Sequence, residues 1–359
     1  MSETLVEWRD AGIGEARQAL VRDGRPIALH VLRAIDEGKR ALWGETYVGR
    51  VRSVDRRLRG AFVDLGLKEE QGFLPLDAQG GAQRGGASVP VREGELLSVL
   101  VTREGARGKG PVLQLLNEAA EGAARRMARH ESDEDLLAAR PADMEARARL
   151  DEAFEAALAP FAQIPSGGTL KFEPTAALVA IDVDAGARKG SPDAERFAFE
   201  LNVAAAQEIA RQVRLRNLGG VIAIDFVSMR QHANREALED AVKAAFAGDP
   251  WQTQFGRLSK FGVFEMSRAQ LRAPLHELYR DAEGRESLDF VAAKALREIE
   301  RAGAAQGGRR IEARVSDEVM SWLENAPYDW RAGLDQRIGP RWRIAGGAPA
   351  RERIDVSAN

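Results

Sequence analysis

The chain has no cysteine, which removes disulfides, Cys-based zinc sites and thiol nucleophiles from consideration. Its four histidines, at 30, 130, 232 and 276, are scattered and show none of the paired spacing of metal-ligating imidazoles. No apolar run approaches the ~20 residues of a membrane span, and no charged leader followed by an apolar stretch is read. A cytoplasmic address without a membrane partner is the expectation. Neither sign of charge dominates: Lys and Arg number 52 against 55 Asp and Glu, a net charge of −3. Nucleic-acid binding would therefore have to come from local basic patches.

What is present is 359 residues with 44% hydrophobic and 30% charged content, enough for two or three globular domains. The basic residues are mostly Arg, whose planar fork suits phosphate, although a bias in base composition would produce the same excess. "TLVEW" (4–8) and "PIALHVLR" (26–33) read as strands flanking an amphipathic stretch at 12–21, a strand–helix–strand piece over 1–36. Short β-rich runs broken by turns follow over 45–76, with further strands at 95–103 and 111–116; this spacing predicts a small barrel over 37–116. "GGAQRGGAS" (80–88) reads as a flexible loop. The Ala-, Glu- and Arg-rich span 117–164 predicts connecting helices interrupted at Pro141 and ended by Pro160.

From residue 165 the pattern becomes strand–helix–strand and continues to about 280. "TLKFEP" and "AALVAIDVD" predict a hairpin. A helix over 193–218 carries Phe197, Leu201, Ala205, Ile209 and Val213 every four residues, with Asp193 as N-cap and Gly219–Gly220 as stop. "VIAIDF" reads as a strand buried on both faces. A helix near 234–247 and a strand near 257–264 come next, and a small α+β unit is expected over 285–359.

Two of these strands end on aspartate. Residues two apart on a strand share a face, so Asp182 and Asp184 project together, about 6–7 Å apart. Asp225 ends the next strand after a helical connection, which places the two strands beside each other or nearly so. Three carboxylates converging at one sheet end are costly to keep charged. Mg²⁺ resolves that conflict, because it takes one or two carboxylates and completes its shell with water and phosphate. The plainer alternative is that these aspartates cap turns or pair with arginine.

"LVAIDVDAG" (178–186), "FELNVAAAQEIARQVRLRNLGGVIAIDFVSM" (199–229) and "FGVFEMSR" (261–268) resemble the ribonuclease E/G family. "GRVRSVDRRLRGAFVDLG…GFLPL" and "REGARGKGPVLQL" resemble its RNA-binding OB-fold barrel, and "IPSGGTLKFEPTAAL" its lead-in to the catalytic strands. The resemblance implies a multidomain α+β chain: an OB-fold barrel inserted near the N-terminus, a DNase I-like α/β catalytic domain and a small C-terminal α+β domain. It implies a Mg²⁺-dependent endoribonuclease, with Mn²⁺ as a substitute. Such an enzyme would act on single-stranded RNA in processing or decay and leave 5′-phosphate and 3′-hydroxyl ends.

Asp182 and Asp225 match the family's metal-binding aspartates, and Asp184 stands where the family has an asparagine that positions the attacking water. Phe62, Phe73 and Lys109 match RNA contacts of the barrel, although without the resemblance both phenylalanines read rather as barrel core. Arg188, Lys189, Lys260 and Arg268 are candidate phosphate contacts. The chain departs from the family in three places. The segment 117–164 is short and lacks a "VRT"-like stretch to read a 5′-monophosphate, with Gln252 where an arginine is usual. The zinc-sharing Cys-x-x-Cys is absent, so a homodimer would form without a zinc link. Ser228 replaces an aspartate. A catalytically inactive RNA-binding or ribosome-associated protein, and a nuclease for DNA, are the competing readings.

Overall fold

The fold was analysed in a computed structural model, which describes residues 5–68, 70–106, 108–186 and 194–359. The chain opens with three antiparallel strands, β1 (Leu5–Ala11), β2 (Glu15–Arg22) and β3 (Arg25–Arg33). The amphipathic stretch expected between two strands is therefore itself a strand. Its polar residues mislead because Glu15 and Arg17 are buried, and a buried polar residue blurs the alternation of a half-buried strand. The deciding local signal is Asp23–Gly24, where both residues have positive φ, 48° and 76°, as a two-residue hairpin turn of this hand requires. Arg17 reaches Asp151 at 2.7 Å, and Arg147 reaches both Asp10 and Glu300 at 3.0 Å. The opening sheet is thus tied to helices far along the chain, which also supply Leu150, Phe154 and Phe290 to its apolar face.

A closed five-stranded barrel follows: β4 (Thr46–Asp55), β5 (Gly60–Asp64), β6 (Gln71–Pro75), then β9 (Leu96–Arg103) and β10 (Val112–Leu115), with β4 pairing back to β9. This barrel is consistent with the OB-fold expectation. The glycine-rich stretch read as a loop is a hairpin, β7 (Gly81–Arg84) and β8 (Ala87–Pro90). Gly85 and Gly86 sit at its tip with φ of 55° and 88°, so these glycines shape a turn and do not signal flexibility. The expected helical span also begins differently. β11 (Arg125–Ala128) joins the barrel sheet on β4 before α1 (Glu131–Leu137) and α2 (Met144–Leu158), which end ahead of Pro141 and Pro160 respectively.

The second large sheet has the order β12-β13-β14-β15-β17-β16. Its strands are β12 (Phe161–Gln163), β13 (Thr169–Pro174), β14 (Val179–Asp184), β15 (Gly220–Asp225), β16 (Thr253–Leu258) and β17 (Val263–Arg268). β13 and β14 form the expected hairpin, and β14 runs parallel to β15. Two helices, α3 (Ala194–Leu215) and α4 (His232–Ala245), cover one face. The four-residue stripe of α3 lies in that core; Asp193, expected to cap it, falls outside the described residues. Helix α3 ends where Asn217 takes a positive φ of 56°.

Two expectations for this sheet are corrected. β15 is buried on one face only, since Ile222 and Ile224 are in the core while Val221 is 48% exposed. The single strand near 257–264 is two strands of a hairpin whose turn, residues 259–262, falls in the middle of that span.

The chain closes with α5 (Leu275–Tyr279), α6 (Leu288–Ala305), β18 (Ile311–Arg314), α7 (Asp317–Glu324), α8 (Trp330–Ile338), β19 (Trp342–Ala345) and β20 (Asp355–Ala358). β18, β19 and β20 form a three-stranded sheet that packs with α6, α7 and α8 around a separate core.

Candidate functional site

Along β14, Val179, Ile181 and Val183 point into the core, so Ala180, Asp182 and Asp184 point away from it. β15 repeats the pattern, with Val221, Ala223 and Asp225 on the same outward face. Asp182 and Asp225 are register partners across the two parallel strands, on backbones about 4.8 Å apart. All three aspartates are exposed. Lys171 of β13 is the register partner of Asp182 on its other side. Its ammonium is raised above the ordinary lysine value, chiefly by Glu173 and in smaller part by Asp182. The sheet therefore presents a pair of adjacent carboxylates in a row with one fixed cation.

Helix α3 holds the loop that leaves Asp225, and sequence reasoning missed both residues that do so. The buried Asn202 amide donates to Val227 O at 2.7 Å and accepts from Val227 N at 3.0 Å. Glu195 accepts from Arg230 N at 2.9 Å and Gln231 N at 3.0 Å, and these backbone bonds lower its carboxyl below the ordinary range. The available signal was Asn202 itself, a polar residue beside Leu201 in an otherwise apolar stripe. Ser228 is exposed in the same loop.

The other expected contacts divide. Phe62 and Phe73 are register partners on β5 and β6 with ring centroids 5.7 Å apart, edge to face. Their strand neighbours Ala61, Val63 and Leu74 fill the barrel core, so the two rings stand on the outer surface and not in the core. Phe73 lies over Gly60, where a Cβ would meet the ring at 2.1 Å. Lys109 is exposed on the turn between β9 and β10, and Phe73 N donates to Pro111 O beside it at 2.8 Å. That turn is also the junction to the second sheet. Glu104 N donates to Leu271 O, and its carboxylate accepts from Trp43 N and Ala273 N.

Lys260 is exposed on the β16–β17 turn. Arg268, expected to contact phosphate, is 2% exposed, pairs with Asp249 through two bonds of 2.8 and 2.9 Å, and donates to Leu218 O at 2.7 Å. Its guanidinium also stacks over Trp251, 4.1 Å from the ring centroid. It is a structural anchor of the sheet. Arg188 and Lys189 lie outside the described residues. Among the described residues, no three His, Cys, Asp or Glu side chains gather closely enough to hold a metal ion.

The sequence pattern of the ribonuclease E/G family matches residues 111–271, which contain both α3-covered strands and all three aspartates. That match and the relatives it shares support membership of the ribonuclease E/G family. The chain is similar to ribonuclease E of Buchnera aphidicola subsp. Schizaphis graminum, 31% identical over 196 residues, which is 53% of this chain and 20% of that protein. Ribonuclease E of Escherichia coli is 33% identical over 184 residues, 49% of this chain and 17% of that protein. Ribonuclease G of Salmonella typhimurium is 31% identical over 189 residues, 51% of this chain and 39% of that protein. The similarity thus spans about a fifth of those ribonuclease E proteins. Phe62, Phe73 and Lys109 lie ahead of the family-matched region. Among the described residues no helix is long and apolar enough to cross a membrane.

Proposed function

We propose that this ribonuclease E/G chain is an endoribonuclease of single-stranded RNA, and that its chemistry takes place on the open face of the second sheet. The observation that carries the proposal is the register pairing of Asp182 with Asp225 on adjacent parallel strands, both exposed. Two like charges so placed repel each other unless a cation lies between them. The donors are all carboxylate oxygens, the hard ligand set that suits Mg²⁺, with Mn²⁺ as a substitute. Mg²⁺ held there would supply Lewis acidity toward the scissile phosphoryl group. The helix-backed sheet is then the DNase I-like catalytic unit.

The chain's own residues carry the remaining roles. Asp184, two residues along the same face, accepts a proton from the attacking water. Lys171 and Lys260 hold phosphate oxygens. The outward rings of Phe62 and Phe73 stack unpaired bases, and Lys109 tracks the backbone beside them. Attack of water on phosphorus with departure of the 3′ oxygen leaves 5′-phosphate and 3′-hydroxyl ends. RNA processing or decay is the setting that fits such a product.

A second reading, an RNA-binding protein without hydrolysis, is favoured by Ser228, exposed in the loop after Asp225 where the resemblance implies an aspartate. One experiment separates the two: cleavage of 5′-monophosphorylated and 5′-triphosphorylated single-stranded RNA, with Mg²⁺ and with EDTA, beside an Asp182→Asn/Asp225→Asn variant. Mg²⁺-dependent cutting that the variant loses is the expected result, with equal rates on the two 5′ ends. Binding without cutting by the unaltered protein would overturn the enzyme reading.

A further inference from the structure

The most exposed large hydrophobic side chain among the described residues is Phe261, at 80%. It occupies the turn between β16 and β17, and that turn is placed by the sheet itself. β17 runs antiparallel to β15, and its first residue, Val263, is the register partner of Asp225. The turn therefore stands at the end of the sheet where the aspartates lie. Its backbone is held from several directions. Ser259 N donates to Val263 O at 2.9 Å and Gly262 N to Ser259 O at 3.1 Å. The Ser259 hydroxyl accepts from Phe261 N and Val263 N, both at 3.3 Å, and Arg235 of α4 donates to Ser259 O at 2.6 Å. Gly262 takes the positive φ of 90° that closes so tight a turn. A ring exposed to water on a turn so held, outside the core packed by Phe255 and Leu258 of the same hairpin, has no packing role. Lys260 places its ammonium 5.0 Å from the ring centroid, so a cation and an aromatic face are presented together.

That combination is what an unpaired nucleotide offers to be met: a flat base for the ring and a phosphate for the ammonium. We infer that Phe261 is a substrate-contacting residue that stacks on one base flanking the scissile phosphate, with Lys260 on an adjacent phosphate. The inference rests on the proposed endoribonuclease reading and adds to it a second stacking post, separate from Phe62 and Phe73. Stacking is tolerant of base identity but needs a base free of its partner strand. The post would therefore select single strands near the cut and not a particular letter.

The test is an abasic scan. Single-stranded RNA oligonucleotides of one sequence each carry one abasic nucleotide, walked through the positions around the cleavage site, and kcat/KM is measured for each. With the unaltered protein, one position next to the cut should lose about 5- to 150-fold, the equivalent of one base–aromatic stack. In Phe261→Ala, that position should no longer matter while the others keep their effect. Phe261→Trp should restore the profile and Phe261→Leu should not. An unchanged scan in Phe261→Ala, or equal rescue by Leu, would overturn the inference while leaving the endoribonuclease reading standing. If the unaltered protein binds RNA without cutting, the endoribonuclease reading fails first. The same scan read by equilibrium affinity then decides Phe261, with the same two outcomes. Loss of all RNA binding by the unaltered protein would overturn both.

Discussion

Replacing Arg268 with Met tests whether this side chain belongs to the fold or to the RNA. The substitution keeps the length of the side chain and removes its charge and its donors. It leaves the Asp249 carboxylate, 1% exposed, without its cation and Leu218 O without its donor. Stranding one member of a buried pair costs about 3–5 kcal/mol, and a buried carbonyl left unpaired adds about 1–3 kcal/mol if the effects were independent. They share one guanidinium, so the expected loss is about 4–6 kcal/mol. Chemical denaturation followed by fluorescence reads it. A double variant, Arg268→Met/Asp249→Leu, should recover most of the loss, because an apolar replacement of a whole buried pair is close to neutral. RNA affinity of the folded double variant should equal that of the unaltered protein. The reasoning is refuted if Arg268→Met unfolds within 1 kcal/mol of the unaltered protein, by the same order-of-magnitude scale, and loses RNA affinity.

Two further outcomes are expected. Asn202→Leu leaves Val227 N–H and C=O without their partner, which should cost about 2–4 kcal/mol at roughly 1–2 kcal/mol per unpaired group. It should also slow cleavage while barrel-mediated RNA binding persists; full stability would show that the loop finds other partners. His30 is half-buried between Asp133, at 2.9 Å, and Arg272, at 2.8 Å, with Glu104 nearby. Burial, then Arg272, lower its imidazole below the ordinary value. The unfolded chain therefore binds the extra proton first as pH falls, so stability is full above about pH 6.5 and declines below it. Asp133, whose partners outweigh its burial and lower it, adds a further loss only at more acid pH, below about 4. A melting-temperature profile of His30→Gln should be flatter between pH 7 and 5 than that of the unaltered protein; identical slopes would exclude His30 as the cause.

The expectation that the arginine excess serves phosphate meets a different use in the interior. Arg17, Arg147, Arg268 and Arg297 are all buried among carboxylates. Breaking such pairs is costly even where forming them contributes little net stability. Arg17, Arg147 and Arg297 therefore act as registration devices between the opening sheet, α2 and α6, and Arg268 does so within the second sheet. Net charge near zero is compatible with an RNA partner when cations such as Lys109 and Lys260 stand exposed beside the proposed RNA contacts.

Periodicity alone determined the strands that carry the aspartates, because residues two apart on a strand share a face whatever the rest of the chain does. It likewise determined α3, whose stripe recurs every four residues, and the barrel strands between their turns. The family resemblance then singled out Asp182, Asp184 and Asp225 within those strands. Tertiary structure alone decided the rest. Arg17 meets an aspartate 134 residues away, and His30 one 103 residues away. No local pattern announces such partners, so β2 read as an amphipathic stretch and Arg268 as a surface cation. Pairing between strands decided that Asp182 faces Asp225 and that Phe261 stands at their end of the sheet. Register is a relation between distant segments, set when the core closes.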